Sequence, residues 1–438
     1  MGNPSLDKAA DGGDHGSPKA RDDKWRSSYR DVMAIAEFRS MWLAHALSVI
    51  GANLLNITSS VLVYQLTDSA FAAGVTLAVM FLPPIIAGPL FSGLADILPR
   101  RQVMVACDVI RAVVIVIVGI PGMPVWAVWA LLFLSILPSI PFSAARAALL
   151  SQIVQGERYV ASTAIIQLTA QVGMLLGLIA GGVIVTFVSP NITLMSTGVL
   201  FVLSALIVRL GVKARPAPAR EESGEKRPGL LVMTRDGAKL VFSDPKLRVL
   251  ALLAWLAGLY SIPYGLANPM AAEAGAGPAA AGFIMAGQSI GALVGGFVLT
   301  RLIAPPTRTR LLGPLAILTC VPLLLWVLQM PLWMMIAALT LCGAAGSYQF
   351  VANAAFVLCV PKEGRGLAFG LVASGLQAAQ GIGILLSSYF VELTSTSTVI
   401  VGAGLLALLS AIALSVPWAR MSREVAERME ATESESAS

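Results

Sequence analysis

Long apolar runs joined by very short connections dominate this chain and leave few folds open to it. Twelve of them run at roughly 41–65, 71–94, 103–121, 125–150, 160–188, 192–210, 247–269, 278–301, 311–329, 332–358, 366–390 and 395–417. About 20 apolar residues in a helix cross the hydrocarbon core of a bilayer. There each backbone N–H and C=O must bond within the protein, which favours helices. The expectation is an all-α polytopic membrane protein with twelve transmembrane helices. Composition agrees: 57% of the 438 residues are hydrophobic and 12% are charged, against roughly a quarter charged in soluble domains.

The sixth connection is the exception. It contains "KARPAPAREESGEKRPG" (213–229), a Pro-rich charged linker. The chain therefore divides into a disordered cytoplasmic tail (1–40), a six-helix bundle (41–210), a cytoplasmic linker (211–246), a second six-helix bundle (247–417) and a cytoplasmic tail (418–438). The polar first 40 residues do not read as a signal peptide. The net charge of +6 reflects topology rather than nucleic-acid binding. Arg100, Arg101, Arg111, Arg146, Arg158, Arg301, Arg308, Arg310, Lys362 and Arg365 all lie at alternate connections or within a few turns of them. The remaining Lys and Arg are in the tails and around the linker. The opposite connections hold only Asp68, Glu273 and Glu392. The positive-inside rule then places both termini in the cytoplasm of a multi-pass protein of the cell membrane.

The halves resemble each other. "SAFAAG" (69–74) aligns with "GPAAAG" (277–282) at an offset of 208, and "ARAALLSQIVQGERYVA" (145–161) with "ANAAFVLCVPKEGRGLA" (352–368) at 207. The expected layout is two pseudo-symmetric six-helix bundles, with substrate bound near the midplane between them.

Between the second and third runs stands "GLADILPRRQVMVACDVIRA" (93–112), which packs five ionisable groups into an apolar setting. It resembles the signature loop of the major facilitator superfamily, and its extension through Asp108 and Arg111 is similar to the macrolide-efflux branch of the drug:proton antiporters. The resemblance spans residues 40–417 and implies a cytoplasmic latch made by Gly93, Asp96, Arg100, Arg101, Asp108 and Arg111. Asp96 would meet the N-terminus of helix eleven, where an anion is favoured. Asp108 and Arg111 share a helix face at i,i+3 and can pair. Arg100 and Arg101 would otherwise act only as positive-inside anchors. The match has departures: Ser92, Ile97 and Pro99 stand where the family has Gly, a basic residue and Gly, and the second half aligns Ala304 with Asp96.

"GMLLGLIAGG" (173–182) resembles the helix-five antiporter motif, with Gly173, Gly177, Gly181 and Gly182 in place and Leu178 where the family has proline. The motif implies an exporter. The Arg found midway along helix four in many proton-coupled exporters is missing; only Arg146 lies on that helix, near its end.

No Asp or Glu falls in the middle of any run. His45 is the coupling candidate because histidine titrates near neutrality; the alternative is a polar residue satisfied by a neighbouring helix. Neutral polar residues are better organised. Asn53, Asn56 and Ser60 form a stripe with His45 on helix one, and Tyr260, Tyr264 and Asn268 recur on helix seven. Under the repeat, Asn56 corresponds to Tyr264 and Ser60 to Asn268. Gln167, Gln171, Gln349, Asn353 and Gln377, with Gln288 and Gln380, extend the set. The alternative for each is an interhelical hydrogen bond. Such a wall suits an amphiphilic small molecule and suits a polyanion poorly, because no Arg or Lys is expected at the midplane.

These features predict a proton-coupled exporter of drug-like or natural-product molecules working by alternating access as a monomer. The alternatives are export of a siderophore or another endogenous metabolite, or a non-transporting membrane sensor. No nucleophile–base pair, metal cluster or phosphate loop appears, so neither an enzyme, a cofactor nor a metal site is expected. Cys107, Cys320, Cys342 and Cys359 are scattered without metal spacing.

Overall fold

A computed structural model describes residues 30–81, 83, 98–155, 157–215, 230–328, 330–361 and 364–437. Among them every regular element is helical. Ten stretches among the described residues are long and apolar enough to cross a membrane: Ala36–Thr67, Val125–Ile153, Ala161–Phe187, Pro190–Gly211, Pro245–Gly265, Pro278–Leu302, Thr307–Val327, Leu332–Cys359, Gly366–Leu393 and Thr396–Ser422. Two expected spans fall outside this set. Helix Ala70–Phe81 is apolar but has 12 residues, and positions 84–97 lie outside the described residues. Helix Arg100–Val118 has 19 residues, but Arg101, Asp108 and Arg111 interrupt its apolar character.

The chain is a multi-pass membrane protein, and its exposed side chains fit that setting. Helix Pro190–Gly211 exposes Val199, Val202, Leu203, Leu206 and Leu210 while burying Phe201, Ser204, Ala205 and Val208. An outward apolar stripe inverts the soluble amphipathic pattern and presents a surface to lipid.

In chain order the elements are α1 (Ala36–Thr67), α2 (Ala70–Phe81), α3 (Arg100–Val118), α4 (Val125–Ile136), α5 (Ser139–Ile153), α6 (Glu157–Phe187), α7 (Pro190–Gly211) and α8 (Leu230–Ser243). There follow α9 (Pro245–Trp255), α10 (Ala257–Tyr260), α11 (Ile262–Gly265), α12 (Ala267–Glu273), α13 (Pro278–Leu302), α14 (Pro305–Leu324), α15 (Leu332–Gly346), α16 (Tyr348–Cys359), α17 (Arg365–Leu393) and α18 (Thr396–Ala437). Local chemistry sets several starts. Ser189 accepts from the Ile192 N–H, with Pro190 in the first turn. Asp244 accepts from the Lys246 N–H at 2.7 Å, ahead of α9. The run expected as helix seven is broken at Leu256, Ser261 and Leu266 into α9–α12. Pro263 contributes no N–H to that stretch. Within the stretch read as linker, α8 is helical, and α18 continues through the C-terminal tail.

Helix α1 packs on α6 and α7, and α3 packs on α7 and α5; later in the chain α13 packs on α15, and α14 on α15 and α18. Contacts of α6 with α13 and of α2 with α17 join the two parts. Glycines set these approaches. A Cβ on Gly177 would lie 2.7 Å from both the Asn53 Cβ and the Ile50 carbonyl, and Gly173 and Gly181 face Val49 and Ile57. The helix-five glycines are thus a groove for α1. The fourth, Gly182, meets Gly282 of α13. Leu178 is fully buried, and α6 runs unbroken past it. A second ladder, Gly287, Gly291 and Gly295, faces Ile336, Thr340 and Ala344 of α15.

Candidate functional site

Two residue pairs related by the repeat touch each other. The Asn268 amide donates to the Ser60 hydroxyl at 2.7 Å, and Tyr264 lies beside Asn56 on the same cavity wall. Each pair is 208 residues apart, the offset of the first aligned motif. Equivalent residues of a two-fold repeat can meet only near its axis, as in an isologous interface. Two further contacts fall within two residues of being each other's counterparts. Gly74 packs against Ser388, and Gly282 against Gly182; Gly74 aligns with Gly282, and Gly182 precedes Ser388 by 206 residues. These contacts form a seam toward the helix ends at 67–70, 187–190, 273–278 and 393–396, which carry no Lys or Arg.

At that arginine-poor end Ser69 caps α2 by accepting from the Ala72 N–H at 3.0 Å. Its hydroxyl also donates to Glu392 at the end of α17. The same carboxylate oxygen accepts from the Phe71 N–H at 3.2 Å. Glu392 therefore holds the positive end of the α2 dipole.

A cavity of about 390 Å³ lies beside the seam, inside the size range of small-molecule sites. Asn53 and Asn56 of α1, Gln171 of α6, Tyr260 and Tyr264 of the broken segment, and Gln349 of α16 line it. Ser261, Gln288 and Gln380 join them, with Phe81, Met174, Phe350 and Ile384 as apolar wall. No charged side chain lines it among the described residues. Some amides are already engaged: the Gln349 amide donates to the Ala254 carbonyl and to the Tyr260 hydroxyl, each at 3.0 Å, and Asn53 donates to the Val49 carbonyl at 2.9 Å. The Ser261 hydroxyl has no partner among the described residues. Other expected cavity residues sit elsewhere. Ser60 and Asn268 are buried against each other. Gln167 and Asn353 are exposed and away from the cavity. Gln377 lines a separate lobe of about 240 Å³.

The latch residues are dispersed. Gly93 and Asp96 lie outside the described residues. Arg100 donates to the Ala148 carbonyl of α5 at 2.9 Å, and Arg101 to the Arg209 carbonyl of α7 at 2.6 Å, so both tie down the start of α3. Asp108 and Arg111 lie deep in the protein, at 0% and 6% exposure. Their closest approach is 3.7 Å. Ser204 donates to Asp108 Oδ2 at 2.5 Å, Arg111 donates to Ser48 at 2.9 Å, and the guanidinium lies 4.0 Å over the Phe201 ring. Arg111 also lines the 240 Å³ lobe. The sequence led to the expectation of no Arg or Lys at the midplane; Arg111 stands eleven residues after the start of the 19-residue α3 and lines this space. The i,i+3 spacing predicted its partner but not which space the guanidinium would face.

His45 is buried, with Nε2 unpartnered among the described residues. It lies within electrostatic reach of Arg146, whose Nε and Nη1 are also buried without partners there. The sequence places Arg146 near the end of its helix. It is seven residues from the end of α5, about 10 Å along the axis.

Among the described residues no cluster of His, Cys, Asp and Glu could hold a metal ion. The family model described as Major Facilitator Superfamily matches residues 41–267 and 250–436. No curated protein matches the chain. Solved structures do. The peptide transporter POT in complex with sulfate is 11% identical, with a TM-score of 0.72, covering 91% of this chain and 99% of that one. The nucleoside transporter NupG is 14% identical, with a TM-score of 0.70, covering 87% and 99%. A bacterial homolog of the human lysosomal transporter Spinster, inward-facing and unoccupied, is 15% identical, with a TM-score of 0.60, covering 94% and 98%. At these identities the likeness concerns the fold alone.

Proposed function

Because the chain belongs to the major facilitator superfamily, we propose that this membrane transporter is a proton-coupled exporter of amphiphilic, drug-like or natural-product molecules across the cell membrane. It works by alternating access between two six-helix bundles of twelve spans, with both termini cytoplasmic. The observation that carries this reading is the uncharged, amide- and phenol-lined cavity beside a seam of repeat-related contacts. An apolar wall with a few placed polar groups suits a molecule of moderate polarity. The packed helix-five glycines support export over import. The described contacts at the arginine-poor end support reading this arrangement as closed toward the outside.

Opening outward then requires Glu392 to leave the α2 N-terminus. That contact is worth about 0.3–1 kcal/mol. Ser289 also lines the cavity, so Glu392→Ala should raise the labelling of Ser289→Cys, in a cysteine-free background, by an impermeant maleimide added outside. The expected increase is about twofold to fivefold. Unchanged labelling would remove Glu392 from the gate.

The cavity is tested in a pump-deficient host loaded with an amphiphilic fluorescent dye. Tyr264→Ala removes an aromatic and phenolic part of the cavity wall, and should slow efflux about tenfold at equal membrane abundance. Efflux at the unsubstituted rate would place the substrate elsewhere.

A further inference from the structure

The lobe beside the main cavity is built differently from it. The two share Asn56, Phe81 and Tyr264 as wall. Most of the lobe is apolar, with Leu55, Leu77, Met80 and Ile136. One cation, Arg111, faces this space, its side chain 7% exposed.

That guanidinium is poorly occupied. It carries five N–H donors. Among the described residues it has one hydrogen-bond acceptor, Ser48, and its Nε has none. Asp108 Oδ1, its ion-pair partner at 3.7 Å, is beyond hydrogen-bond reach and accepts no hydrogen bond among the described residues. Asp108 offsets the charge without filling the donors. A buried cation with spare donors in a membrane protein marks a functional position more often than a structural one. Its planar fork matches a two-oxygen acid. Ser135, Ser139 and Gln377 add neutral polar groups to the same wall.

We propose that this lobe is a subsite for an acidic end of the substrate, a carboxylate or sulfonate on an otherwise apolar molecule, received by Arg111. The proposal rests on the exporter reading above and narrows its substrate class. The apolar body lies in the 390 Å³ cavity and the acid passes Asn56 and Tyr264 into the lobe.

The test uses the full chain in nanodiscs at neutral pH and two probes, 11-(dansylamino)undecanoic acid and its methyl ester, each corrected for binding to empty nanodiscs. The acid should bind about tenfold more tightly than the ester. In the charge-neutral double variant Asp108→Asn/Arg111→Gln the ratio should fall to about one. Ser139→Leu, which adds bulk at the lobe from α5, should lower the ratio too and serves if the double variant does not fold. Equal binding of acid and ester by the unsubstituted protein overturns the subsite and leaves the exporter reading standing. A tenfold ratio that survives both variants also overturns it. Binding of neither probe by folded protein overturns both.

Discussion

Asp108→Ala should be among the most destabilising single substitutions in the chain. It removes the counter-charge of Arg111, which is 6% exposed, and leaves a buried cation with one neutral acceptor among the described residues. Breaking a buried ion pair from one side costs about 3–5 kcal/mol. A clear fall in the thermal midpoint of the detergent-purified protein is expected. Asp108→Ala/Arg111→Leu should recover much of the loss, because neither charge then remains. The control is the Asp31–Arg158 pair, whose side chains are 51% and 55% exposed. Solvent screens such a pair, so Arg158→Ala should change stability by less than about 1 kcal/mol. Equal effects of Asp108→Ala and Arg158→Ala would contradict the burial assigned to the α3 pair.

Gly343→Ala should be as damaging for a different reason. A Cβ there would overlap the Gln288 carbonyl of α13, and the reciprocal Gly291 would overlap the Thr340 carbonyl of α15. Backbone atoms cannot turn aside as a side chain can, so two membrane helices would have to separate. Overpacking of this kind costs about 1–3 kcal/mol or more. Folded yield after size-exclusion chromatography should fall several-fold. Gly402→Ala is the matched control, because nothing lies within 4 Å of a Cβ at that position. It should be neutral or stabilising by up to about 1 kcal/mol, since alanine is the better helix former. Similar yields for both variants would contradict the α13–α15 packing.

What could be read from the sequence followed from period and spacing. Apolar runs located ten of the twelve expected spans among the described residues, and the 208-residue offset paired Asn56 with Tyr264 and Ser60 with Asn268. That these partners meet is a property of the assembled structure, because a repeat does not reveal where its axis passes. Gln167 and Asn353 show the limit of single polar residues: each is exposed on its helix, and nothing local marks the outward face. The ladder Gly287, Gly291, Gly295 had the same four-residue spacing as the helix-five motif and was legible by that signal. The breaks in helix seven were less so. Pro263 announced a disturbance, but the interruptions at Leu256 and Leu266 carry no sequence mark of their own. Arg111 was legible as the partner of Asp108 and illegible as the wall of a cavity lobe, because helical spacing says nothing about empty space.

The exporter reading is tested most directly in proteoliposomes holding the purified chain in one known orientation, with an amphiphilic fluorescent dye and an imposed pH gradient. The account predicts dye movement out of the cytoplasmic-side compartment, driven by the gradient, abolished by an uncoupler and slowed by Tyr264→Ala. Dye movement that is indifferent to the gradient and to Tyr264, or none from folded protein across a panel of dyes, would contradict it.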